Sequence, residues 1–162
     1  MKRTVIAGLV AFMVLSVLAI SAYAEPPTDV EGTLWYTAHF GDLRVAGGNT
    51  FLTTTEDATW EGAFEGEAMD ECVVVIHTSG AWFYQGMASF QGTVQGRTGT
   101  LQILLIGSRP DGLAEWEGTW RILSGGDELE HLHGQGTWWG PGAPDFEELG
   151  EIPYAGQIHF DP

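Results

Sequence analysis

Beyond residue 24, the apolar positions of this chain fall in short runs, mostly β-branched or aromatic, broken by Gly, Asp or Pro about every ten residues. Helical periodicity is nearly absent there. The pattern predicts strands at roughly 31–40, 58–67, 71–78, 81–91, 92–97, 99–107, 114–123, 129–138 and 153–160, some merging across a Gly to leave about eight. One phrase recurs: Glu31-Gly32-Thr33-Leu34, Gln91-Gly92-Thr93-Val94, Glu117-Gly118-Thr119-Trp120 and Gln135-Gly136-Thr137-Trp138, with Gly99-Thr100-Leu101 as a variant. Thr and aromatic residues suit a pleated, half-buried surface, while Gly marks bends, bulges and close backbone approach. Strands that start, bend and curl in this way predict an all-β fold, a single antiparallel barrel of about eight strands.

Turn chemistry supports the same reading. Thr78-Ser79-Gly80-Ala81, Arg109-Pro110-Asp111-Gly112 and Ser124-Gly125-Gly126-Asp127 read as hairpin connections. Residues 41–57 read as an irregular stretch, in which Thr53-Thr54-Thr55 has no catalytic context. Gly140 to Pro153, with three prolines and the acidic residues Asp145, Glu147, Glu148 and Glu151, reads as the one long loop.

Lys2 and Arg3 precede an apolar run from Val5 to Ile20, followed by Ala22-Tyr23-Ala24, the layout of a secretory signal peptide. The expected organisation is a leader over 1–24 and one barrel domain over 25–162, secreted or periplasmic and free of the membrane after cleavage. An uncleaved membrane anchor is the alternative reading of the leader. Glu25 rather than Cys after the cut argues against a lipid anchor. The formal net charge is −16, and removing Lys2 and Arg3 takes it to −18. Arg44, Arg97, Arg109 and Arg121 are then the only fixed cations. That balance excludes nucleic acid and anionic membrane surfaces as natural partners, and reads as a solvated acidic coat suited to salt. Cys72 is the single cysteine, so no intrachain disulfide forms. It opens Cys72-Val73-Val74-Val75-Ile76, a buried-strand pattern in which Cys acts as a small hydrophobe. A nucleophile or an intermolecular disulfide is the alternative.

The run Phe90-Gln91-Gly92-Thr93-Val94-Gln95-Gly96-Arg97-Thr98-Gly99-Thr100-Leu101 resembles the F-x-G-T-V-x-G-R-S-G-T-L core of the DUF3224 proteins, which are related to the allene oxide cyclase-like barrels. Leu129 to Gly136 with Thr137-Trp138 is similar to that family's L-x-x-L-x-G-x-G-T strand, and Gly156-Gln157-Ile158-His159-Phe160 to its closing strand. The resemblance spans Trp60 to Phe160. It implies a small antiparallel barrel, often with an apolar interior cavity, and brings no reaction with it. His131 and His133 stand where a Gly and a basic residue are commoner in the family.

Candidate chemistry is sparse. In a strand, alternation would place His131 and His133 on one face, a geometry usable for a transition metal, with His39, His77, His159, Glu128 or Glu130 as further ligands if the fold gathers them. The bland reading is a solvent-facing pair. Glu67 and His77 lie on different expected strands and would form an acid–base pair if both faced the lumen. The seven Trp residues include Trp116 and Trp120 on one side of a strand, and Trp138 and Trp139 on opposite sides. Core packing is their ordinary role, and lining an apolar ligand cavity is the other. Glu67, His77, Trp82, Trp116, Trp120 and Trp138 are the candidate ligand-binding residues, and His131 and His133 the candidate metal ligands; no cofactor is implied. The leading functional expectation is a secreted barrel that binds a small apolar ligand in its lumen. An isomerase or cyclase acting on a hydrophobic substrate is the second, and a structural protein forming homo-oligomers through its outer surface the third. An open lumen favours the first two, a packed one the third.

Overall fold

The computed structural model describes residues 26–112, 114–142 and 147–162; the expected leader lies outside them. Eight strands follow in chain order: β1 (Thr28–Ala46), β2 (Asn49–Gly62), β3 (Phe64–Ile76), β4 (Trp82–Val94), β5 (Arg97–Arg109), β6 (Trp116–Asp127), β7 (Leu132–Gly140) and β8 (Leu149–Phe160). Each pairs antiparallel with the next and β8 pairs with β1, so the sheet closes into a barrel in sequence order. Closure leaves every strand with one face inward and one outward, and the side-chain period of two sorts the residues. On β2, Leu52, Thr54, Glu56, Ala58 and Trp60 are buried, while Thr53, Thr55, Asp57 and Thr59 face solvent. On β5 the inward set is Leu101, Ile103 and Leu105. Each such large apolar side chain contributes roughly 1.5–3 kcal/mol by leaving water.

Several boundaries differ from the sequence expectation. Residues 41–57 are not irregular: β1 runs to Ala46 and β2 starts at Asn49, across a two-residue turn at Gly47-Gly48 with φ of 59° and 81°. Positive φ at both positions matches the twist that a tight hairpin requires. A bulge at Gly41-Asp42 breaks the β1–β2 register, and Thr53 Oγ1 accepts the displaced Asp42 N–H at 2.8 Å. The expected strand 58–67 is split by a turn at Gly62-Ala63. Residues 92–97 are divided by another at Gln95-Gly96, where both φ values are again positive. Ser124-Gly125-Gly126-Asp127 is no hairpin connection, because β6 runs through it and the turn follows at 128–131. The other two expected turns stand, and Pro153 lies inside β8.

The recurring phrase has a more specific meaning than bending. Its Gly and the residue two further on both face inward, and the Thr between them faces out. Gly107, Gly118 and Trp138 form one row across β5, β6 and β7, and the Trp138 ring lies flat over both glycines. Trp120, Gly136 and Gly156 form an equivalent row across β6, β7 and β8. Tyr154 lies over Gly32 of β1. Eight strands enclose little space, and glycines clear the floor on which the rings rest.

The rings divide the interior in two. In the half holding the 63, 95–96 and 128–131 turns, Trp60, Phe64, Phe90, Trp120 and Tyr154 pack with centroids 5.0–6.4 Å apart, largely edge to face. Tyr154 Oη accepts the Phe64 N–H at 3.1 Å and donates to Glu61 O at 3.2 Å. This half is filled. The other half holds the chemistry.

Candidate functional site

At the opposite end the barrel encloses a cavity of about 240 Å³. Leu34, Val74, Leu105 and Ile152 form its aliphatic wall, and Tyr36, Trp82, Tyr84, Trp116 and Trp138 its aromatic one. Neighbouring rings contact one another: Tyr84 to Trp138 at 5.8 Å, Tyr84 to Trp116 at 6.1 Å and Trp82 to Trp116 at 6.5 Å. Arg109, the last residue of β5, places its guanidinium 4.0 Å from the Trp82 ring centre and 4.9 Å from that of Trp116. Its Nε is buried and lacks a hydrogen-bond partner. Burial lowers the Arg109 pKa from its ordinary value, but guanidinium stays charged across the working pH range.

Deeper in, Thr54, Glu56 and Tyr84 bring polar atoms to the cavity, with Asp70 and Cys72 behind them. Tyr84 Oη donates to Glu56 Oε2 at 3.2 Å and lies 3.1 Å from Cys72 Sγ. Asp70 is fully buried, and neither of its carboxylate oxygens has a hydrogen-bond partner. Burial raises the Glu56 carboxyl to about 7, opposed by the Tyr84 and Cys72 hydrogen bonds. Burial raises Asp70 to about 8, reinforced by the Glu56 charge. Burial, with Glu56 beside them, also pushes the Cys72 thiol and the Tyr84 phenol above their ordinary ranges. All four side chains are therefore shifted towards their neutral forms, and Cys72 is no poised nucleophile.

Of the sequence-predicted residues, Trp82, Trp116 and Trp138 line the cavity, whereas Trp120 packs in the filled half. Glu67 and His77 do not meet in the lumen. Glu67 is one residue out of phase with the inward Ala68 and Asp70, so it faces solvent. His77 lies past the end of β3, where its Nδ1 is 2.9 Å from Ser79 Oγ. His131 and His133 do not share a strand face either, because His131 sits in the turn before β7. His133 instead stacks on His159 at 5.4 Å, and the Asp161 carboxylate lies 3.2 Å from His133 Nε2 and 3.4 Å from His159 Nε2. Sequence reasoning missed Glu56 and Asp70. Their signal was phase: each is a carboxylate on the apolar face of its strand, within Leu52-Thr54-Glu56-Ala58-Trp60 and Ala68-Asp70-Cys72-Val74.

A family model described as "Protein of unknown function (DUF3224)" matches residues 35–139. The crystal structure of a protein of unknown function from the DUF3224 family of Shewanella oneidensis MR-1 has a TM-score of 0.67 to this chain. The match covers 85% of this chain and 99% of that one at 21% identity, a likeness of fold. No curated protein matches the chain.

Proposed function

The chain belongs to the DUF3224 family, and from that footing we propose that the hollow half of its barrel binds a small, largely apolar molecule after export by the 1–24 leader. The observation that carries this is the division of the lumen: one half is filled by interlocked rings, and the other encloses about 240 Å³ walled by aliphatic and aromatic side chains. That volume lies just below the ~300–1,000 Å³ of ordinary ligand sites, which favours a ring compound or a short chain over a long lipid. Arg109 at the strand end, with its unpartnered Nε, favours a ligand bearing one acceptor group, such as a carboxylate or ketone. The filled half alone would fit an assembly protein. The hollow half favours the ligand reading.

Isothermal titration of the mature protein with single-ring and fused-ring aromatic acids, alongside native mass spectrometry of freshly secreted material, tests this. Saturable one-to-one binding is expected, weakened at least about tenfold by Val74→Trp, which fills the cavity. Binding that survives Val74→Trp would place the ligand outside the barrel. Recovery of a chemically altered compound would favour the isomerase or cyclase reading, with Glu56 and Tyr84 among the polar groups that line the cavity.

A further inference from the structure

We propose that Glu56, Asp70 and Cys72 form a site for a divalent transition-metal ion of the zinc type, in the wall of the cavity. The β2–β3 register sets Glu56 directly opposite Asp70, and Cys72 follows Asp70 on the same inward face. One donor atom from each residue lies within 4.8 Å of the others, and all three residues are buried. Two adjacent strands thus deliver two carboxylates and a thiol to one spot inside the barrel.

The second observation is Asp70 itself. A fully buried carboxyl with both oxygens unpartnered is rare, because its lost hydration is not compensated. Thr54 Oγ1, also buried beside this cluster, lacks a well-formed hydrogen bond. Unsatisfied oxygens converging from two strands are what an ion would satisfy. The donor set is mixed. Two hard oxygens and one soft sulfur suit a borderline ion such as Zn²⁺ better than Ca²⁺ or Mg²⁺, which take all-oxygen shells. Bonds of about 2.0–2.3 Å bring donors closer together than the 4.8 Å limit within which these three lie, so binding draws them inward. Glu56, Thr54 and Tyr84 also line the cavity, so an ion can reach the site from it.

The test is titration of Co²⁺, then Zn²⁺, into mature protein that has been treated with a chelator and exchanged into metal-free buffer. One equivalent of Co²⁺ should produce visible ligand-field bands and a near-ultraviolet thiolate-to-cobalt charge-transfer band, both abolished by Zn²⁺. Cys72→Ser should lose the charge-transfer band while keeping weaker binding. Asp70→Asn and Glu56→Gln, close in shape to the native residues, should each weaken Zn²⁺ by at least about a hundredfold. Circular dichroism of each variant establishes that it is folded. Two results would overturn the proposal: folded wild-type protein that takes up neither ion, or uptake with no thiolate band and no effect of Asp70→Asn. The first would assign the pair to protons held between the carboxyls. The second would place the ions on the acidic exterior.

Discussion

At Gly118 a single added methyl group would collide with the Trp138 ring, and at Gly136 it would collide with Trp120. Neither ring has an easy retreat, because each indole N–H is bonded to a backbone carbonyl, Trp138 to Thr119 O at 3.0 Å and Trp120 to Ala155 O at 3.2 Å. Gly118→Ala and Gly136→Ala should therefore each cost about 1–3 kcal/mol by overpacking, measurable by urea denaturation. Gly126→Ala, which meets only the flexible Thr100 hydroxyl, should cost far less. A separate prediction concerns the buried acids in chelator-treated protein. Glu56, raised to about 7, and Asp70, raised to about 8, keep their protons after the unfolded chain has released its own near pH ~4. Cys72 and Tyr84, the other titratable groups facing them, are themselves pushed towards neutrality. The folded state then binds more protons than the unfolded one. Stability should fall as pH rises from about 4 through about 8, and go on falling above that as the unfolded chain's Cys72 and Tyr84 ionise while the folded ones stay neutral. Thermal melts across that range should show a shallower decline for Asp70→Asn than for wild type. His39 behaves in the usual basic sense: hydrogen bonds to Asp57 and Glu147 raise its pKa, so its NMR titration should have a midpoint above that of a free imidazole.

At the scale of elements, β1 is two segments with different support. Residues 32–37 pair with β8 on one side and β2 on the other, 28–31 pair with β8 alone, and 38–46 pair with β2 alone. Glu147 N–H donates to Ala38 O, and Phe40, Leu43 and Val45 beyond it are more than half exposed. Hydrogen exchange should show slow amides over 30–36 and much faster ones over 43–46 within the same strand. The expected end of the first strand at 40 falls at the bulge, three residues past the last β8 pair at Thr37, so the sequence carried the change of environment and not the continued pairing. The turns at Thr78-Ser79-Gly80-Ala81 and Arg109-Pro110-Asp111-Gly112 were legible as hairpin connections, whereas Ser124-Gly125-Gly126-Asp127, written in similar residues, is strand. The turns at Gly62-Ala63 and Gln95-Gly96 were not legible, because Gly also appears throughout these strands as clearance for rings. The site was half legible for a related reason. Trp82, Trp116 and Trp138 stand out by residue type, but Glu56 lay in a stretch whose alternation is masked by threonines on both faces.

For the whole molecule, the interior and the exterior follow different rules. Inward positions are mostly aliphatic side chains, rings and the glycines beneath the rings, while the exterior carries nearly all of the charge behind the −16 total. Repulsion among those carboxylates opposes compaction and is screened within about 10 Å at ~0.1 M salt. Raising NaCl from about 0.01 M to about 0.5 M should therefore raise the melting temperature, where a protein with balanced surface charge would change little. Burial of the ring-filled half supplies cohesion that salt does not touch.

The division of the lumen also divides the chain's light emission. Trp60 and Trp120 lie in the filled half, almost wholly hidden from solvent, while Trp82, Trp116 and Trp138 surround the cavity. A dissolved quencher or an entering molecule reaches the second group long before the first. The intrinsic fluorescence should thus contain a blue, quencher-resistant component and an accessible one shared with the outward Trp35 and Trp139. In Trp35→Phe/Trp139→Phe protein the first serves as an internal reference for occupancy of the cavity.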